Sequence, residues 1–413
     1  MNLLSSKTGR IFLVTAFYLT EGAPIGFIWW AMPTLLRKEN IAIESITSLI
    51  AILVLPWIFK FVWAPLIDSL RNEKRGYKFW IFISQFLMGA ALIPLIFIPP
   101  QNNFFIWGMF LFIHSFAAAS QDVSIDAMVI NVIAKHERGK LNGFMNAGML
   151  IGRSIFGGGT LIIAYELGLN YMMVLLAGII FSTMLLLLFV EEPISVSKSE
   201  NQFENFKSNF ILSFRKKNTW LAILFALISA SAFESAGGLA GPFLTDLKIN
   251  QETIGIFFAV PVVIAMFIGG LTGGYISDKV DRKKAVGVFL TGFVTSILFI
   301  SIYNYFNSTA NETSVLIAFT VMYFFVGLFT ASSYALFMDL TNPKIGGTQF
   351  STYMAATNGC EAGSVWIAGI IIAGYGYSPA FIFMCVISLF SLIILKNINL
   401  NSTFEIENST LAQ

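Results

Sequence analysis

Gly274-Tyr275-Ile276-Ser277-Asp278-Lys279-Val280-Asp281-Arg282-Lys283-Lys284 is a short charged turn between two apolar runs, each long enough to cross a membrane. A related turn lies in the first half of the chain. There Ala64-Pro65-Leu66-Ile67-Asp68 is followed by Arg71, Lys74 and Arg75, again between two apolar runs. Two such turns at matching places in a chain of 413 residues point to a duplicated membrane scaffold.

Working outward, apolar stretches of about 20 residues predict helices over 11–36, 46–67, 79–98, 104–127, 141–164 and 171–190. A second set follows over 219–245, 252–276, 285–305, 314–338, 350–373 and 379–396. The fold class expected is an all-α membrane protein with about 12 transmembrane helices in two six-helix pseudo-repeats. The bundles are placed at 1–190 and 219–413, and the polar stretch 191–218 between them reads as a cytoplasmic linker. The N-terminal segment, which opens with Lys7 and Arg10 and lacks a small-residue cleavage site, reads as a first span rather than a cleaved signal.

Composition agrees with this class. Apolar residues make up 56% of the chain and charged residues 12%, and mean hydropathy is strongly positive. The net charge of +2, spread over short loops, argues against a nucleic-acid partner. Cys360 and Cys385 fall inside apolar segments, so neither a disulfide framework nor a metal-ligand spacing is present, and no cofactor is expected. With the N-terminus inside, 20 of the 25 Lys and Arg residues fall in inner segments and only Arg37, Lys38 and Lys248 in outer loops. By the positive-inside rule both termini are expected to be cytoplasmic.

The halves repeat each other in detail. Phe116, Ser120 and Asp126 in the fourth helix keep the spacing of Phe329, Ser333 and Asp339 in the tenth. Gly139 to Arg153 in the fifth matches Gly347 to Glu361 in the eleventh. On these residues the chain resembles the major facilitator superfamily, whose loop between helices eight and nine has Gly, three residues, Asp and a basic cluster, as Gly274 to Lys284 do here. The first-half copy lacks the leading Gly and spaces its basic residues further out. Within the superfamily, Phe59-Lys60-Phe61-Val62-Trp63-Ala64-Pro65-Leu66-Ile67-Asp68, Gln121-Asp122-Val123-Ser124-Ile125-Asp126 and Gly347-Thr348-Gln349-Phe350 are similar to the AmpG-type muropeptide permeases. Acetyl-CoA transporters and siderophore permeases share parts of the pattern. The resemblance implies proton-driven import of a bulky polar solute by alternating access, in a monomer seated in the bacterial inner membrane and surrounded by its lipid. Two bundles would rock about a cavity lined by helices 1, 2, 4, 5, 7, 8, 10 and 11. An anhydro-muropeptide leads as substrate; a siderophore or a coenzyme-like anion is the alternative.

Charges inside apolar spans are costly unless they face a cavity or a partner, which makes them the candidate site. Glu21 lies about ten residues into the first span, near the midplane at about 1.5 Å per residue. A carboxylate there can be protonated from one side and released to the other. The competing reading is a permanent ion pair with Lys60 or Arg153. Glu234 sits at similar depth in the seventh span. Arg153 offers a bidentate fork to a carboxylate or phosphate, or else pairs with its repeat counterpart Glu361. Lys60 either contacts solute or a carboxylate, or snorkels. Asp122 is a second candidate proton site or a structural hydrogen-bond acceptor. Asp126, one turn further, is expected to pair with Arg71 or Arg75 near Asp68, and Asp339 with Arg282 near Asp278, latching an inner gate.

Other features have blander readings. His114 is a single intramembrane histidine with the chemistry for proton transfer. Trp29 and Trp30 read as interfacial aromatics rather than a sugar platform. Gly148, Gly152 and Gly157 to Gly159, with Gly269, Gly270, Gly273 and Gly274, suit close helix approach. Asn307 and Asn311 match glycosylation sequons on an outer loop. An intramembrane enzyme or a passive channel is disfavoured: the chain has no His-Glu-x-x-His run and no Gly-x-Ser-x-Gly elbow, and its charges are scattered rather than set in pore rings.

Overall fold

The computed structural model describes residues 2–69, 76–100, 103–132, 135–192, 211, 214–306, 311–342 and 346–399, with the backbone alone for 65, 66, 68, 69, 130–132, 135–140, 142, 346 and 347. Among these residues there is no strand. The first six helical spans are α1 (Lys7–Lys38), α2 (Ile43–Ser69), α3 (Tyr77–Ile96), α4 (Phe104–Val132), α5 (135–167) and α6 (Leu169–Phe189). The second six are α7 (217–246), α8 (Gln251–Lys279), α9 (Arg282–Phe306), α10 (Glu312–Leu340), α11 (Gly346–Tyr375) and α12 (Tyr377–Asn397).

Eleven of these helices are long and apolar enough to cross a membrane. The expected twelfth, α11, matches the others in length at 30 residues. It falls short in hydropathy because Thr348, Gln349, Ser351, Thr352, Thr357 and Asn358 occupy its first half and Glu361 follows just beyond.

The backbone carries the duplication in its turns. Every residue with positive φ among those described has a counterpart 208 residues away: Asn40 with Lys248, and Gly168 with Gly376. The first pair closes α1 and α7 with the same hydrogen bonds, Ile41 N to Leu36 O at 3.1 Å and Ile249 N to Leu244 O at 3.2 Å. This is a left-handed helix ending, normally the place of glycine. At the second pair glycine supplies it, between α5 and α6 and again between α11 and α12.

The chain divides into two compact units. The first is Met1–Ser197 with Gly238–Val263, and the second is Lys198–Gly237 with Ile264–Gln413. In the first unit α1 and α5 lie almost backbone to backbone: a Cβ on Gly22 would sit 2.0 Å from Met149 O, and one on Gly152 2.2 Å from Leu19 O. Both helices loosen into π-turns in this region, Phe27–Ala31 after Pro24 and Ser154–Gly159 after Arg153. The missing N–H of Pro24 frees a carbonyl and explains the first. In α8, Pro261 follows a break at Val260, as expected for a residue ahead of proline.

The first unit also holds the distal ends of α7 and α8. Arg37 Nε bonds both oxygens of Asp246, at 2.8 and 3.0 Å, Lys38 Nζ reaches Gln251 Oε1 at 2.6 Å, and Gln251 Nε2 donates to Leu161 O at 2.8 Å. Trp30 stacks on Phe258, with ring centroids 5.2 Å apart and planes 10° from parallel. This corrects the interfacial reading of Trp30: it is 3% exposed because Gly157 on α5 leaves room for the indole.

Candidate functional site

Helical spacing prepares a polar site in the first unit. Tyr18 and Glu21 on α1, Trp57 and Lys60 on α2, and Asp122 and Asp126 on α4 are three pairs separated by three or four residues, so each pair shares a face of its helix. The fold turns these faces toward one another. Lys60 Nζ donates to Asp122 Oδ2 at 2.6 Å, with 24% and 13% of the two side chains exposed. Tyr18 Oη donates to Asp126 Oδ1, and Trp57 Nε1 donates to Glu21 Oε1 at 3.2 Å. Gln121 Nε2 reaches Thr20 Oγ1 at 3.3 Å, tying α4 to α1 beside the cluster.

Glu21 is 3% exposed, and its second oxygen, Oε2, has no hydrogen-bond partner among the described residues. Lys60 and both aspartates lie within electrostatic reach of it. Three carboxyl groups therefore share one lysine. The competing reading in which Glu21 pairs with Lys60 gives way to Lys60 with Asp122, because the α2 face that presents Lys60 to α4 presents Trp57 to Glu21. The competing reading of Asp122 as an acceptor from Ser or backbone gives way to the same ion pair.

The remaining candidates are dispersed. Arg153, half-buried on α5, stands at the entry to a π-turn, where a Cβ on Gly26 would lie 2.7 Å from its Cα. In the second unit Glu234, 8% exposed on α7, lies within electrostatic reach of Cys360, the residue before the half-buried Glu361 on α11. Cys360 Sγ stands 3.5 Å from Ser231 Oγ and 3.7 Å from Ser364 Oγ. His114 is buried against α3 with Nδ1 2.9 Å from Met88 O.

At the charged turn of the second unit, Arg282 bridges two helices. Its Nη2 donates to Asp278 Oδ1 at 2.7 Å, and its Nε lies 3.3 Å from Asp339 Oδ2. The first-half counterparts Arg71, Arg75 and the side chain of Asp68 lie outside the described residues. Asp126, expected to meet one of those arginines, receives the Tyr18 hydroxyl.

Gln349 of the Gly347-Thr348-Gln349-Phe350 run is 2% exposed and acts as a clasp. Its Nε2 donates to Thr219 Oγ1 on α7 at 3.1 Å and to Tyr353 Oη at 2.8 Å, while its Oε1 accepts from the Asn342 backbone at 2.9 Å. Asn311 caps α10, its Oδ1 accepting from Thr313 N at 3.0 Å.

Sequence reasoning missed Tyr18, Trp57 and the Arg37–Asp246 pair. Tyr18 and Trp57 were visible as the helical neighbours of Glu21 and Lys60. Arg37 stood out among the few basic residues assigned to outer loops.

Comparison with known proteins agrees with this architecture. Two Rickettsia conorii proteins bearing the names AmpG 4 and AmpG 1 are each 24% identical, over 405 and 425 residues. Each alignment covers 95% of this chain and 97% or 98% of the relative. The anhydromuropeptide permease of Escherichia coli K12 is 22% identical over 274 residues, 63% of this chain and 55% of that protein. Among solved structures, a D-xylose-proton symporter superposes with a TM-score of 0.76 at 12% identity, covering 95% of this chain and 98% of its own, a likeness of fold. The model of the Major Facilitator Superfamily matches residues 11–239 and 223–399. The chain therefore belongs to the Major Facilitator Superfamily and is a multi-pass membrane transporter rather than an enzyme.

Proposed function

We propose that this protein is a proton-coupled importer of anhydro-muropeptides, working by alternating access in a bacterial inner membrane with both termini in the cytoplasm. The observation that carries the coupling is Glu21 Oε2, buried without a donor among the described residues in a cluster where three carboxyl groups face one lysine. Such surplus negative charge in a low-dielectric interior calls for a proton or a cationic group of the solute. Glu21 is the proton carrier in this reading. Trp57 holds its orientation, and Lys60 with Asp122 sets the local field. Arg153, Glu234 and Glu361 serve the solute, and Asp126, Asp278, Arg282 and Asp339, with Asp68, Arg71 and Arg75, work the gate. The substrate class rests on the resemblance to the AmpG proteins and the E. coli permease.

Proteoliposomes test both parts. Labelled anhydro-muropeptide should accumulate above its external concentration when an inward proton gradient is imposed and should only equilibrate without one. A siderophore offered in parallel should stay outside. Uptake of the muropeptide to the same plateau with and without the gradient would remove the coupling, and its failure to enter would remove the substrate.

A further inference from the structure

The second unit carries a groove of 1190 Å³ between α9, α10 and α12, separate from the clusters above. Two glycines of α9 line it. At Gly287 an added Cβ would meet Leu392 Cδ2 at 3.6 Å, an ordinary contact, so α9 leaves room for a carbon there but not for a branched side chain without displacing Leu392. At Gly292 a Cβ would collide with the ring of Phe325, 2.2 Å away, so that ring packs directly on the helix as part of the wall.

The hydroxyls that α9 contributes to the wall are spent. Thr291 Oγ1 donates to Gly287 O at 2.8 Å, Thr295 Oγ1 to Thr291 O at 2.8 Å and Ser296 Oγ to Gly292 O at 3.0 Å. The α9 face, opposite Ile317, Ala318, Val321 and Phe325 of α10, thus offers methyl groups and rings to an occupant, a surface for hydrocarbon rather than for a polar solute. It runs from Lys284 to Phe299, about 22 Å of helix, which exceeds the roughly 15 Å hydrocarbon depth of one leaflet.

Charge selects the headgroup. Arg282 is taken up by Asp278 and Asp339, and Lys283 Nζ by the carbonyls of Lys396 at 3.0 Å and Ile398 at 2.5 Å. Lys284, at the mouth, is exposed, and its ammonium has no hydrogen-bond or ion-pair partner among the described residues. An ammonium at the end of an apolar, membrane-facing groove complements a lipid phosphate with net negative charge.

We propose that this groove is a binding site for an anionic phospholipid, with an acyl chain along the Gly287–Phe299 face of α9 and the phosphate on Lys284. The site stands independently of the transported solute. It is tested on the detergent-purified full chain by native mass spectrometry, titrating phosphatidylglycerol and phosphatidylcholine of identical acyl chains. The wild type should retain the anionic lipid preferentially. K284Q should lose that preference by about fivefold, the equivalent of about 1 kcal/mol per basic residue near a lipid surface. K284R should keep the preference, and K217Q, a basic change elsewhere, should leave it intact. G287L, which fills the groove, should reduce retention of both lipids. Unchanged preference in K284Q, undiminished binding in G287L, or inorganic phosphate displacing the lipid as well as free phosphatidylglycerol does would each overturn the assignment.

Discussion

The first-half site and its repeat counterpart in the second half use the same helices for opposite chemistry. In the 208-residue register set by the paired turns, Glu21 corresponds to Ser229 and Lys60 to Ile268, which is 49% exposed. In the register of the shared Phe, Ser and Asp spacing, Asp122 corresponds to Ala335. The second half is held there by rings. Phe293 meets Phe233 and Phe329 edge-on with centroids 5.3 and 5.2 Å apart, and Phe225 packs against Phe329 and Phe337 at 6.5 and 6.2 Å. Edge-to-face rings contribute beyond their buried area and leave no polar group needing a partner. At these positions the scaffold thus stands without charge; the second half's buried Glu234 lies elsewhere on α7. Since a buried ion pair is weak evidence for stability, the buried carboxylates at the matching positions of the other half are where the proposed coupling is to be tested.

Substitution at Glu21 should separate the halves most sharply. Glu21→Gln keeps the Trp57 contact but cannot cycle a proton, so gradient-driven accumulation should fall to equilibration while solute exchange continues. A proteoliposome assay of both quantities checks this, and retained accumulation would move the proton elsewhere. Next in size, Phe329→Ala removes the hub of the ring cluster and should cost about 4 kcal/mol of stability. It should leave the dependence of transport on the gradient intact in the protein that still folds. Thermal unfolding in detergent, paired with uptake, reads both. Asp122→Asn strands Lys60 and should cost about 3 kcal/mol. The double substitution K60M/D122L should recover most of that stability but not transport. Recovery of transport as well would reduce the pair to a structural role.

Much of this comparison is legible in the sequence because span placement needs only length and hydropathy. Each expected helix appears as a helix, and the single departure in apolarity, α11, follows from the polar residues crowded into its first half. Which residues meet was harder to read. Lys60 had carboxylates available on two neighbouring helices, and only the rotation of α2 gives Asp122 the ammonium and Glu21 the indole. Gly148 and Gly152 signalled close helix approach, but not that α1 is the partner, meeting α5 through Gly22 and Gly26, nor that a π-turn follows Arg153. Gln349 stood within a run that suggested kinship, yet its clasp on α7 and the end of α10 emerges only once those helices are assembled.

The smallest effect on stability is expected where the two regions both use charge. Arg282 joins Asp278 and Asp339, which are 71% and 45% exposed, whereas Lys60 and Asp122 are mostly enclosed. Exposed pairs are worth at most about 1 kcal/mol and are screened by salt. Arg282→Gln should therefore shift unfolding far less than Asp122→Asn. The guanidinium nevertheless spans the α8–α9 turn and the end of α10, so its loss should change the rate of transport without lowering the plateau that the proton gradient sustains. Initial uptake rate and plateau, measured at low and high ionic strength, distinguish these. A latch predicts that salt alters the wild-type rate and leaves R282Q almost unaffected. A fall in the R282Q plateau would instead extend the coupling machinery from the buried cluster to the exposed turn.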